Sequence, residues 1–186
     1  MSVGGAAEVH AAIHRALETA LNPPSPPDDP HLARLFEEIR DPVSADPAYQ
    51  IEDLIWAAWH RHVDADATAV MERAITLIAR RDDDTGGKVL DGLIELCPSW
   101  AEPWNKRATL RFLQGRDRES LDDIAETLTR EPRHFGALAG FAQICLRHGD
   151  GGTARLVLAR ALEINPHMAQ MRALLNQLET DRPGVN

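Results

Sequence analysis

The sequence predicts an all-α protein built from stacked helical hairpins. Two observations support this fold class. Apolar residues recur at spacings of three and four along most of the chain, which is typical of amphipathic helices. In addition, Pro98, Pro132 and Pro166 stand 34 residues apart, and each follows one of these apolar runs. Because proline ends a helix, this spacing divides much of the chain into helical units of equal length.

The chain before these units divides into an isolated helix, a linker and a helical pair. Residues 1–30 combine an amphipathic helix, which has Val9, Ile13 and Leu17 on one face, with the linker NPPSPPDDP. This linker contains five of the twelve prolines and is therefore expected to be extended. Residues 31–66 follow as a pair of helices, which we expect to close the N-terminal end of the stack.

The 34-residue period divides residues 67–180 into three hairpin units and a final helix. The units cover, in order, about 67–100, 101–134 and 135–168. Each contains two helical patterns separated by a short polar break. Residues 169–180 form a last amphipathic helix with a polar outer face, which we expect to cap the stack, and residues 181–186 form a short tail.

The repeating unit resembles the tetratricopeptide repeat. In the second unit Trp104 stands at the aromatic position that opens the pattern, Gly115 at the turn and Pro132 at the terminator. A small residue that lets two helices approach closely recurs in every unit, as Ala74, Ala108 and Ala142. The resemblance implies a right-handed α-α superhelix of stacked hairpins, in which each hairpin needs its neighbours to bury its apolar face.

Most of residues 32–168 also resemble a group of small bacterial tetratricopeptide repeat proteins. The resemblance lies in WNKRATL (Trp104–Leu110) and EPRHFGAL (Glu131–Leu138), preceded by IEDLIWAAW (Ile51–Trp59). This group has no settled biochemical function. The resemblance therefore indicates the fold more sharply and leaves the activity open.

The resemblance also implies a concave wall that is lined by the first helix of each hairpin. Eight residues on these helices are candidates for contacting a partner: Met71, Ile75, Asn105, Thr109, Phe112, Gln143, Leu146 and Arg147. The wall is apolar at one end and polar at the other, which suits a peptide or helix with a mixed face. The sequence therefore predicts a non-catalytic protein–protein interaction module. The protein's own N-terminal helix is an alternative cover for the apolar part of this wall.

No set of nucleophile, base and orienting group can be assembled from the sequence, so neither catalytic residues nor a cofactor is predicted. The alternative is a metal-dependent or enzymatic protein that uses His10 and His14, which stand four residues apart on one helix. A third ligand is not evident, and a surface helix with two histidines is the simpler interpretation. Cys97 and Cys145 are expected to pack as small apolar groups.

The charge of the chain argues against nucleic acid as the partner. The 186 residues carry a formal charge of −9, and residues 1–66 alone hold 12 acidic and 4 basic side chains. Since binding to nucleic acid depends on basic side chains, an RNA-binding helical repeat is a disfavoured alternative. Unit two contains a local basic cluster: Lys106, Arg107, Arg111, Arg130, Arg133 and His134. We expect this cluster to pair with acids of the following helix, although an anion site is the alternative.

The expected compartment is the cytoplasm, without a membrane partner. No run approaches about 18 uninterrupted apolar residues, and the first helix is too polar to serve as a secretion signal. Two cysteines in the whole chain fit a reducing compartment. The N-terminal helix must bury its apolar face in the protein's own groove or against a second copy, so a homodimer through this helix is a further possibility.

Overall fold

The computed structural model describes residues 3–40 and 45–180, and this part of the chain contains ten α-helices and no strand. The all-α prediction is confirmed, whereas the predicted tail at 181–186 lies outside the described residues. The helices are α1 (Val3–Leu21), α2 (Pro30–Glu38), α3 (Ala45–His60), α4 (Ala65–Ala79), α5 (Asp83–Leu96), α6 (Ala101–Leu113), α7 (Asp117–Arg130), α8 (Phe135–Arg147), α9 (Gly151–Ile164) and α10 (Ala169–Thr180). None of the helices in the described ranges has the length and hydropathy that a membrane span requires.

The predicted stack of hairpins is present. The hairpins are α4–α5, α6–α7 and α8–α9; α5 packs against α6, α7 packs against α8, and α10 packs on α9. In the second and third hairpins the first helices begin at Ala101 and Phe135, and the second helices begin at Asp117 and Gly151. Both pairs of starting points reproduce the 34-residue period of the prolines. The large apolar residues of α10 (Met171, Leu174, Leu175 and Leu178) are half-buried and its polar residues are exposed, as expected for a capping helix.

The turn inside each hairpin requires a residue in the left-handed region of backbone space. Gly115 and Gly149 supply it with φ of 72° and 74°, and Arg81 takes the same place in the first hairpin with φ of 65°. An aspartate follows this turn residue in the first and third hairpins. Asp82 accepts a hydrogen bond from a backbone N–H at the start of α5, and Asp150 does the same for α9. Local chemistry of this kind sets the ends of the helices.

Small residues allow the two helices of a hairpin to approach closely. Ala74, Ala108 and Ala142 are all buried, as the repeat pattern predicts. Two apolar cores result. The smaller core lies within the first hairpin, and the larger one joins the second and third hairpins to α1, α2 and α3. The larger core depends on helices that precede the repeats in the sequence, so the repeats are not its only source.

Helix α1 lies on the face of the stack formed by the second helices of the hairpins. It packs against α7 and α9 and buries Val9 and Ile13 there, while Arg15 pairs with Asp122 at 3.0 Å. The expectation that α1 covers the wall of first helices is therefore wrong. The apolar face of α1 finds its partner within the same chain, because α7 and α9 present a complementary apolar surface next to it.

The α2–α3 pair lies along the side of the stack, so the expectation that it closes the N-terminal end is wrong. Near its start, α3 places Glu52 2.9 Å from the side-chain nitrogen of Asn165. Further along, the Trp59 ring stacks on His134 with centroids 4.0 Å apart, and the Trp59 carbonyl accepts a hydrogen bond from Trp100 at 2.8 Å. Because Trp100, His134 and Asn165 lie in the loops that follow the first, second and third hairpins, α3 connects all three units.

The basic cluster of unit two is largely paired within the protein, as expected. The Arg107 guanidinium donates to both carboxylate oxygens of Asp123 at 2.8 and 3.0 Å, and to Asp91 at 2.6 Å. Arg111 donates to the same Asp123 at 2.6 Å. The buried Asp123 between these two arginines supplies the negative charge that both guanidinium groups pair with.

Candidate functional site between α6 and α8

A cleft of about 200 Å³ lies between the first helices of the second and third hairpins. Its lining consists of Asn105, Ala108, Thr109 and Phe112 from α6, Ser120 and Ile124 from α7, and Gly136, Ala137, Ala139, Gly140 and Gln143 from α8. Four of the eight residues that the sequence predicts for partner contact are among them: Asn105, Thr109, Phe112 and Gln143. The structure thus brings half of the predicted set to one place.

Helical periodicity explains why these residues share the cleft. The lining residues of α6 and most of those of α8 follow one another at spacings of three and four, so each set lies on one face of its helix. On α8 that face carries glycine and alanine at three positions, Gly136, Ala139 and Gly140. Because these residues are short, the cleft reaches past both first helices to Ile124 of α7. The prediction of site residues did not include Gly140, Ser120 and Ile124. The sequence does indicate Gly140, because it stands four residues after Gly136 and therefore lies on the same face of α8.

The rim of the cleft is polar. Asn105 is 6% exposed, and its side-chain nitrogen donates to Glu102 at 3.2 Å. Its side-chain oxygen receives no hydrogen bond from the described residues. Thr109 and Gln143 are exposed on opposite sides of the cleft, and the Thr109 hydroxyl donates to the carbonyl of Asn105 at 3.0 Å. Amide and hydroxyl groups placed in this way can bond to the backbone of a bound segment.

Phe112 forms one end of the cleft, and Arg147 lies beside it. The Arg147 guanidinium lies 3.9 Å from the centroid of the Phe112 ring and donates to Asp117 at 2.6 Å. The same carboxylate of Asp117 contacts His148 at 2.8 Å. Arg147 does not line the cleft, but these contacts hold it beside Phe112 at the boundary.

A buried carboxylate, Glu102, lies at the other end of the cleft. His134 and Lys106 contact it at 2.9 and 3.1 Å. The other ring nitrogen of His134 accepts a hydrogen bond from the backbone of Ala137, so Nε2 carries the proton that His134 donates to Glu102. Burial by itself raises the pKa of Glu102. The hydrogen bond from His134, together with the nearby His60 ring and the charge of Lys106, outweighs burial and holds the pKa of Glu102 well below its usual range.

Helix α3 packs against α8 at this end, although none of its residues lines the cleft. A Cβ atom added to Gly136 would lie 2.5 Å from the Trp56 ring, so glycine is required where α3 meets α8. The Lys106 ammonium lies 5.5 Å from the centroid of the same Trp56 ring. The sequence does not indicate this position of Trp56, because nothing in the local pattern of α3 shows which hairpin it packs against.

Three of the predicted partner-contact residues lie elsewhere, in addition to Arg147. Met71 is fully buried in the core of the first hairpin, so its prediction as a contact residue is wrong. Its apolar side chain fills the space between α4 and α5 and is not available to a partner. Ile75 is half-buried against the same core, and Leu146 is half-buried against the larger core. None of the three lines the cleft.

The histidines considered for a metal lie in a separate, wider groove. His10 and His14 line this groove with residues of α9 and α10, and their ring centroids are 5.3 Å apart. Within the described ranges, no group of three or more His, Cys, Asp or Glu side chains is arranged to hold a metal ion. Of the two free cysteines, Cys145 is fully buried, and burial raises the pKa of its thiol to about 12.

Among proteins of known sequence, the chain is similar to a TPR repeat-containing protein of Rhizobium etli. The two are 34% identical over 147 residues, which is 79% of this chain and 72% of the relative. No protein-family model matches the chain. The similarity therefore extends over most of both proteins and is strong enough to indicate a common family.

Proposed function

Since the chain belongs to the tetratricopeptide repeat family, we propose that it is a non-catalytic interaction module that binds a segment of a partner protein between α6 and α8. The observation that carries this proposal is the cleft itself. It combines an apolar floor with a polar rim, and four residues predicted from the sequence for partner contact line it.

The chemistry of the cleft favours a polypeptide as its occupant. Asn105 and Gln143 carry amide groups that both donate and accept hydrogen bonds, as the backbone of a bound segment requires. Phe112 offers an aromatic surface beside them. Sites of this composition recognise peptides and helices by a few apolar anchors surrounded by polar contacts.

Replacing both Phe112 and Gln143 with alanine tests the proposal. We expect the double variant to lose partner binding by at least about 10-fold, because the aromatic surface and one rim amide disappear together. Partners captured by the intact chain are identified by mass spectrometry, and their affinity for both forms is then measured by calorimetry. The melting temperature should change little, since Phe112 is only half-buried and Gln143 is exposed.

A matched control places the change on the opposite face of the stack. Thr129 is exposed on α7, so Thr129→Ala should leave both affinity and melting temperature unchanged. A Phe112→Ala/Gln143→Ala variant that binds partners as well as the intact chain would show that the cleft is not the binding surface.

A further inference from the structure

The floor of the cleft between α6 and α8 contains a glycine that the fold does not need. A Cβ atom added to Gly140 would have only one heavy atom within 4 Å, the terminal carbon of Ile124 at 4.0 Å. At Gly136, by contrast, the added atom would collide with Trp56. The space beside Gly140 is therefore open, whereas the space beside Gly136 is filled.

The repeat itself does not require small residues at these positions. One period earlier, the counterparts of Ala139 and Gly140 are Asn105 and Lys106, both with long side chains. Glycine inside a helix is less favourable than alanine, because it loses more backbone freedom on folding. Gly140 thus carries a cost without a packing contact in return, and, unlike other helical glycines with open space beside them, it lies in the cleft, where its missing side chain leaves the floor open.

The size of the open space fits one large side chain. The cleft measures about 200 Å³, and an apolar cavity of roughly 150 Å³ is enough to hold a benzene molecule. A phenyl or leucyl side chain can therefore enter, whereas two such groups cannot.

The chemistry of the floor excludes a charged occupant. Ala108, Ile124 and Ala137 contribute apolar side chains. The hydroxyl of Ser120 donates to the carbonyl of Ala108 at 2.8 Å, so this polar group is already satisfied between α6 and α7. A charged or strongly polar group placed on this floor would lose its hydration without a replacement partner.

We infer that the floor of the cleft is an anchor pocket that accepts one bulky apolar side chain, aromatic or leucine, from the bound segment. The inference rests on the proposed function and specifies its partner. The partner segment presents one such residue, flanked by backbone that bonds to the rim at Asn105 and Gln143. Most of the binding free energy comes from this single residue, as for other anchors that fill a desolvated pocket.

Small probes test the pocket directly on the full chain. The probes are the N-acetyl methylamides of phenylalanine, leucine and alanine, titrated into the ¹⁵N-labelled protein and followed by NMR. The phenylalanine and leucine probes should shift the amide signals of Ala139 and Gly140 in a saturable way. The alanine probe should not, because its methyl group leaves most of the cleft empty. Equal shifts with all three probes would overturn the inference.

Filling the pocket from inside is the second arm of the experiment. Gly140→Leu should abolish the shifts caused by the phenylalanine probe and lower the affinity for an identified partner by at least 10-fold. The matched control is Gly92→Leu, a helical glycine of α5 whose added Cβ would also meet nothing within 4 Å. The control should leave both readouts unchanged. If the leucine variant fails to fold, Gly140→Ala replaces it in the experiment. Because alanine has a smaller side chain, this variant should lower the affinity for the phenylalanine probe by a smaller factor.

The outcomes separate the inference from the proposed function. If Gly140→Leu still binds an identified partner that the Phe112→Ala/Gln143→Ala variant no longer binds, the cleft is the binding surface but the anchor pocket is wrong. If instead the double variant keeps the partner as well, the proposed function fails together with the inference. Loss of the partner in both variants, with loss of the phenylalanine probe in Gly140→Leu, supports both.

Discussion

Arg81 occupies a backbone conformation that glycine adopts in the other two hairpins. Its φ of 65° corresponds to 72° at Gly115 and 74° at Gly149. For a residue with a Cβ atom this conformation costs roughly 1–2 kcal/mol, because the Cβ atom comes too close to the following carbonyl oxygen. Arg81 is exposed, so its side chain buries no apolar surface that would offset this cost.

Arg81→Gly is therefore expected to stabilise the protein by about 1 kcal/mol, even though glycine also raises the entropy of the unfolded chain. Urea denaturation followed by circular dichroism measures the change. Arg80→Gly is the matched control, because Arg80 has φ of −85° and gains nothing from glycine. The control should destabilise the protein slightly, and an equal effect of both substitutions would contradict the strain at Arg81.

Two residues predicted for partner contact, Asn105 and Met71, have different environments in the structure. Asn105 and Met71 both lie on first helices and both fit the repeat pattern of a wall residue. Asn105 lines the cleft, whereas Met71 is fully buried. The difference arises because Met71 meets Leu90 and Leu93 of its own hairpin. A repeat pattern indicates which helix face a residue occupies, but the depth of burial depends on side chains far away in the sequence.

At the scale of elements, α3 joins parts of the protein that the sequence separates. Its Trp59 packs against Phe36 of α2, Phe135 of α8 and His134, with ring centroids 4.0 to 5.9 Å apart. Trp59 is 6% exposed. The α3 helix is thus part of the core of units two and three, although it precedes unit one in the chain.

Trp59→Ala should destabilise the protein by about 3–5 kcal/mol, the usual cost of removing a large buried aromatic side chain. Hydrogen exchange should locate the loss in α8 as well as in α3. Leu54→Ala is the control on the same helix, because Leu54 is 51% exposed and its removal should cost much less. If the exchange of α8 stays unchanged in Trp59→Ala, α3 does not support the third unit.

At the scale of the whole molecule, the position of α1 decides which surface is free. Docked against α7 and α9, α1 leaves the cleft between α6 and α8 open and covers an apolar surface on the other side. An uncovered surface of this kind would attract other apolar surfaces. The N-terminal helix therefore protects the stack and does not block the candidate site.

Deletion of residues 1–28 should lower the melting temperature and cause self-association, because the apolar surface on α7 and α9 becomes exposed. Light scattering is expected to show the intact chain as a monomer. Ile13→Asp is a milder version, since the side chain of Ile13 on α1 is fully buried against the stack, and His14→Ala on the exposed side of α1 is its control. A dimeric intact chain that becomes monomeric on deletion would instead support a homodimer in which α1 is exchanged between copies.

The period, the ends of the hairpins and the all-α class follow from local rules. Pro98, Pro132 and Pro166 cannot continue a helix, Gly115 and Gly149 allow the turn, and the three- and four-residue spacing defines each apolar face. All of these act between residues close together in the chain. They can be read without knowing where any helix packs.

The surfaces against which those apolar faces pack do not follow from local rules. The pattern of α1 and α3 shows that each has a face to bury, but it does not show which part of the stack buries that face. The depth of the cleft likewise depends on the distance between Gly140 and Ile124, which belong to different hairpins. Long-range packing selects among surfaces of similar hydrophobicity by shape and by charge pairs such as Arg15 with Asp122. The local sequence can therefore specify every helix, while the open surface of the protein depends on how the helices fit together.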